Sequence, residues 1–136
     1  MADPEQDDLR EVIRRQVALR AAMARQPSYA EDAFLFVCAG VNYTCARLGG
    51  RRDVSGRELI DGLCDLAVER FGFLAPTVLE RWGIKGTDDL GEIVFALVEV
   101  GLLGKSPRDS KDDFHDVLDL RETLRARHRI DADAEI

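Results

Sequence analysis

Cys38, Cys45, Cys64, His115 and His128 are the side chains of this chain best suited to metal or nucleophilic chemistry. Cys38 and Cys45 lie seven residues apart in a stretch of helical pattern, which separates them by about 10.5 Å along the axis. Two thiolates on one zinc sit only about 4 Å apart. The pair therefore cannot share an ion, or form a disulfide, without breaking the helix. The expected role of these cysteines is small apolar filler. His115 sits in the acidic run DDFHD, where carboxylates favour the imidazolium and a solvated surface histidine is expected. His128 lies in RARHRI near the C-terminus, a poor place for a rigid site. An enzyme would need a pocket gathering Cys64, His115, Trp82 or Tyr43.

Paired carboxylates occur at Asp7/Asp8, Asp88/Asp89 and Asp112/Asp113. Residues adjacent in sequence do not share a helix face, so none forms a general acid–base pair on a helix. Asp109, Asp112 and Asp113 lack the spacing of an EF-hand. Gly49-Gly50 reads as a turn rather than a phosphate cradle. No catalytic residue, cofactor or metal is expected.

Charge narrows the partners. The net charge is −7, and residues 58–120 hold 14 acidic side chains against 6 basic, net −8. Such a domain repels phosphate backbones overall. The exception is Arg47, Arg51, Arg52 and Arg57 around the Gly49-Gly50 turn. This is a candidate phosphate-binding patch and the basis of an alternative nucleic-acid reading.

The 136 residues, 46% hydrophobic and 33% charged, are expected to form a single domain with one core. The acidic start, Met1 to Gln6, is unlike a signal peptide, and no apolar run approaches about 18 residues. An odd number of cysteines agrees with a reducing compartment. The expectation is a cytoplasmic protein with no membrane contact.

The elements that must position these residues are mainly helical, five or six helices around one core. Residues 4–26 predict an amphipathic helix with Asp3 as N-cap, Pro4 in its first turn and Leu9, Val12, Ile13, Val17, Leu19 and Met23 at roughly helical spacing. This helix is a candidate arm for a homodimer. Residues 29–48, apolar nearly all round, predict a central buried helix with Phe34, Val37, Cys38, Val41, Cys45 and Leu48 as its stripe. Residues 55–71 open on a capping box of Ser55 and Glu58, with Leu59, Ile60, Leu63, Ala67 and Phe71 facing inward.

Residues 74–82 predict a short helix stopped by Gly83, with Ile84 folding back onto Leu79. Residues 88–100 predict a helix capped by Thr87, with Leu90, Ile93, Val94 and Leu97 inward and Asp88 and Asp89 at its positive end. Beyond Gly101, residues 102–120 are ambiguous between a short β-hairpin and a helical turn capped by Ser110. Residues 121–129 read as helix, and 130–136 as a frayed tail.

The stretch LGEIVFALVEVGLLGK, within residues 74–120, is similar to the recognition helix and first wing strand of winged-helix domains. The would-be recognition helix, 88–100, offers Asp88, Asp89, Glu92 and Glu99, with none of the Arg, Lys, Asn or Gln that read base edges. The resemblance therefore implies a scaffold contacting protein rather than DNA, with those four acids and the loop 104–116 as the candidate surface. Residues 29–120 also resemble an uncharacterised family of small conserved bacterial proteins, in YAEDAFLFV, RLGGRRDVSGRELIDGLCDLAVERFG, VLERWGIKGTDDLGEIVFALVEVGLL and DSKDDFHDVLDL. That resemblance implies a bacterial, intracellular, single-domain protein and assigns no catalytic residue. It leaves 1–26 and 121–136 outside the family-like core. The expected function is a non-enzymatic protein-interaction or regulatory domain, with nucleic-acid binding and an enzyme of unknown class as alternatives.

Overall fold

In the computed structural model, which describes residues 4–50, 53–104 and 110–134, six α-helices run in the order α1 (Pro4–Arg25), α2 (Glu31–Arg47), α3 (Gly56–Phe71), α4 (Ala75–Arg81), α5 (Thr87–Glu99) and α6 (Leu120–Ala134). Two 3-10 turns, Gly72–Leu74 and Lys111–Phe114, join them. Asp3 lies outside the described residues. No helix among the described residues is long and apolar enough to cross a membrane.

Local codes start and stop these helices. The Ser55 hydroxyl accepts the Glu58 N–H at 3.1 Å, and Glu58 Oε1 accepts the Ser55 N–H at 3.1 Å, so the expected capping box closes. At the end of α4, Gly83 takes φ +96°, a region that favours glycine. The Ile84 N–H reaches Leu79 O at 2.9 Å and the Gly83 N–H reaches Glu80 O at 3.0 Å, the Schellman pattern. The chain entering α2 crosses this turn, with the Ala30 N–H donating to Trp82 O at 3.1 Å.

The central helix is α3 rather than α2. It packs against α2, α4 and α6 and buries Leu59, Ile60, Leu63, Cys64, Leu66, Ala67 and Val68. In α2, Phe34, Phe36, Val37 and Cys45 are buried and Cys38 and Val41 half-buried, but Leu35 and Leu48 are exposed. Its apolar character thus exceeds what it buries. The α2–α3 contact is close because Gly62 has no side chain: a Cβ there would lie 1.8 Å from Thr44 Oγ1. Phe36, Phe71 and Trp82 form an aromatic cluster with centroids 5.6–6.4 Å apart. Each large apolar side chain taken fully from water stabilises the fold by about 1.5–3 kcal/mol.

Of the two readings of 102–120, the hairpin, and with it the wing, has no counterpart among the described residues, which hold no strand but a 3-10 turn at Lys111–Phe114. Gly101 takes φ +82°, and the Leu102 N–H bonds Leu97 O at 2.9 Å, so the chain turns back at the end of α5. Asp113 Oδ2 accepts the Ser110 N–H at 2.8 Å and the Asp113 N–H donates to Ser110 O at 3.1 Å, which winds Lys111–Phe114 into a turn. The next backbone groups go to α5, not to a strand partner. Thr87 Oγ1 donates to Phe114 O at 2.7 Å and accepts the Val117 N–H at 3.1 Å. Thr87 is therefore not the N-cap of α5. Gly86 holds that position, and Thr87 is a buried tie. The tail expected to fray from residue 130 is helical to Ala134, and α6 buries Leu120 and Leu124 against the core.

Candidate functional site

The four acids of α5 each have a partner within the chain. Asp88 meets His115 Nδ1 at 2.9 Å. Asp89 takes three donors: the Tyr29 hydroxyl at 2.6 Å on Oδ1, and the Lys85 and Gly86 N–H groups at 2.8 and 3.1 Å on Oδ2. Glu92 accepts from Gln26 Nε2 at 2.7 Å and pairs with Lys111 at 3.2 Å. Glu99 pairs with Arg25 at 2.6 Å. This face ties α5 to the end of α1, the α1–α2 loop and the 111–115 turn. The hydrogen bond to Asp88 raises the His115 pKa, with further help from that charge. Burial, then the bond to Asp89, raises that of Tyr29. Of the candidate loop 104–116, residues 105–109 lie outside the described residues.

The arginine patch is divided. Arg51 and Arg52 lie outside the described residues. Arg47 Nη1 donates to Asp65 Oδ2 at 2.5 Å and its guanidinium lies over the Tyr43 ring at 5.3 Å. Arg57 faces Asp61 at 3.8 Å across one turn. The same two carboxylates receive a third arginine: Arg127 of α6 donates to Asp65 Oδ1 at 2.7 Å, Asp61 Oδ1 at 3.0 Å and Asp61 O at 2.8 Å. This network locks α6 to α3. Asp61 and Asp65, one helical turn apart on α3, offered a local signal for it; their partner 62 residues or more away did not.

The thiols do not converge. Cys38, Cys45 and Cys64 are all free. Burial pushes the Cys64 thiol up to about 11 and also raises Cys38, away from the thiolate form that nucleophilic chemistry uses. Trp82 sits in the aromatic cluster and His115 at the surface against Asp88. The His128 ring lies 6.3 Å from that of Phe73. One groove of about 220 Å³ runs between α4 and α6 past Leu79, Ile84 and Leu124. Another of about 240 Å³ lies beside Thr44, Leu48 and Gly62. None of Cys64, His115, Trp82 and Tyr43 is among the residues lining these two grooves.

A different feature stands out on α1. Leu19 and Ala22 are buried where the helix packs on α5, yet Leu9, Val12, Ile13 and Val17 are 59, 55, 54 and 63% exposed. Every residue from 8 to 17 is exposed. The first half of α1 is thus an arm that projects from the body with four bulky apolar side chains at helical spacing. Scattered surface apolar residues need no explanation, but a contiguous stripe does. Phe73 and Leu74, 72 and 48% exposed, form a smaller apolar spot in the α3–α4 turn that the sequence pattern did not reveal. Comparison with known proteins finds no matching family model, no matching curated protein and no matching solved structure.

Proposed function

We propose that this chain is a non-enzymatic protein-interaction domain whose docking element is the exposed apolar face of α1. The observation that carries this reading is the stripe of Leu9, Val12, Ile13 and Val17, each more than half exposed on one helical arm. An isolated helix of about 14 residues is marginal in water, and burying such a face on a partner is the usual way an amphipathic helix recognises a groove or another helix. The acids Asp88, Asp89, Glu92 and Glu99 support docking less, because each is engaged within the chain. Phosphate binding through Arg47, Arg51, Arg52 and Arg57 has weaker support as well, since Arg47 and Arg57 each face an α3 carboxylate. Three free thiols suit the reducing bacterial cytoplasm as the setting.

The test is photo-crosslinking in cells from a probe at position 13, compared between the otherwise native chain and Leu9→Asp/Val17→Asp. The expected outcome is one or more protein adducts, own copies included, that the double variant loses. Adducts unchanged by the double variant, or none at all, would overturn the reading.

A further inference from the structure

We propose that the occupant of the α1 stripe is the same stripe of a second copy of this chain, paired antiparallel with Ile13 on the two-fold axis. The inference rests on the reading of α1 as a docking element and names its partner.

Symmetry sets the first condition. An isologous contact must be complementary to itself about its axis. The stripe runs from Leu9 to Val17, so its midpoint is Ile13. A two-fold there sets Leu9 beside the partner's Val17 and Ile13 beside its own copy.

Charge supplies the second. Residues 5–11 carry four acids (Glu5, Asp7, Asp8, Glu11) against Arg10, net −3. Residues 14–20 carry Arg14, Arg15 and Arg20 and no acid, net +3. The charge therefore inverts about the same residue that centres the apolar stripe. Antiparallel pairing sets the acidic half of one arm beside the basic half of the other. Parallel pairing sets like against like. A foreign partner requires no such inversion, and the acidic half disfavours an anionic membrane.

Space supplies the third. At about 100° per residue, Leu9, Ile13 and Val17 lie roughly 80–160° around the helix from Leu19, while Val12 lies about 20° from it, at the edge of the contact. A second helix can therefore seat on the stripe while α1 keeps its contact with α5. Two arms of about 14 residues are each about 21 Å long and bury on the order of 800 Å² together. That is below the area of permanent dimers, so the association is reversible.

The experiment has two readouts on the full chain. Sedimentation equilibrium from about 5 to 500 µM is expected to show a reversible monomer–dimer equilibrium, weakened at least about tenfold by Ile13→Asp. Circular dichroism of Ile13→Asp should match the parent, because the position is exposed. Second, in a Cys38→Ser background, Ile13→Cys is expected to crosslink to itself under mild oxidation. Leu9→Cys and Val17→Cys should crosslink when mixed but not alone.

A monomer at about 500 µM overturns the proposal, and so does self-crosslinking of Leu9→Cys as fast as the mixture. If the chain stays monomeric while position 13 still captures a different protein, the docking reading stands and this one falls. Stripe-dependent co-sedimentation of the monomer with phosphatidylglycerol vesicles also overturns it.

Discussion

Thr87 Oγ1 donates to Phe114 O at 2.7 Å and accepts the Val117 N–H at 3.1 Å, in a position where Thr87 is 2% exposed. One hydroxyl thus satisfies two backbone groups 27 and 30 residues away and pins the 111–117 segment across the first turn of α5. Thr87→Val keeps the shape and removes both bonds. Leaving buried backbone groups unpaired costs about 1–3 kcal/mol, and urea denaturation should show a loss of that size. Thr87→Ser, which retains the hydroxyl, should recover most of it. Equal losses in the two variants would mean that the methyl, not the hydroxyl, is what matters.

This tie also explains what local sequence could and could not reveal. The Ser55–Glu58 box and the Gly83–Ile84 stop were legible because each is a code contained within six residues. Thr87 was misread for the same reason: its type and place suit an N-cap, and nothing nearby announces Phe114. The acids of α5 read as a free face because charge along one helix does not disclose Arg25, Gln26 or Tyr29 on distant segments. The run after Gly101 read equally well as strand or turn, since a short apolar stretch fits both. The α1 stripe was visible as a pattern, but a pattern does not separate a face packed on its own core from one left bare.

The close approach of α2 and α3 yields a second prediction. A Cβ on Gly62 would lie 1.8 Å from Thr44 Oγ1 and 3.0 Å from Thr44 Cβ, and Thr44 is held by its own bond to Gly40 O at 2.7 Å. Gly62→Ala gains up to about 1 kcal/mol of helix propensity but forces the helices apart. The net outcome expected is a destabilisation of about 1–3 kcal/mol. Adding Thr44→Ala opens the space, so thermal unfolding of the double variant should lie above that of Gly62→Ala. A double variant less stable than the single would remove this account of the glycine.

Arg127 bridges Asp61 and Asp65 from α6 while largely buried, with 26% of its side chain exposed. Arg127→Ala leaves two carboxylates of α3 without their best donor, so a loss of about 1–3 kcal/mol is expected. Amide exchange should accelerate in α6 more than in α3. Arg127→Lys should rescue little, because an ammonium lacks the fork that reaches both acids. Full rescue by lysine would show that charge alone suffices.

The His115–Asp88 pair predicts a pH dependence of defined sign. The folded pKa of His115 is raised, first by the hydrogen bond to Asp88 and then by its charge. A raised histidine pKa means that the folded state holds its proton more tightly than the unfolded chain does. The pair's stabilisation is therefore fully present below the ordinary histidine range, about 6.5, and fades as pH rises through the folded value. The ring titration followed by NMR should fall back toward the ordinary value in Asp88→Asn. The stability gap between parent and variant should narrow as pH rises across that window. A gap that widens with pH would contradict the pairing.

The two halves of α1 should respond to truncation in opposite ways. Leu19 is 6% exposed in the contact with α5, whereas Leu9 and Ile13 are more than half exposed. Leu19→Ala removes buried surface and leaves a cavity, so a loss of about 2–5 kcal/mol is expected. Leu9→Ala and Ile13→Ala remove nothing from the core, and each should stay within about 0.5 kcal/mol of the parent. The comparison belongs at low micromolar concentration, where association through the arm adds no stability by mass action. Backbone amides of residues 8–17 should exchange by local opening, well before those around Ala22. If Leu9→Ala proved as costly as Leu19→Ala in the dilute monomer, the arm would be packed on its own body, and the stripe would have no face left to offer a partner.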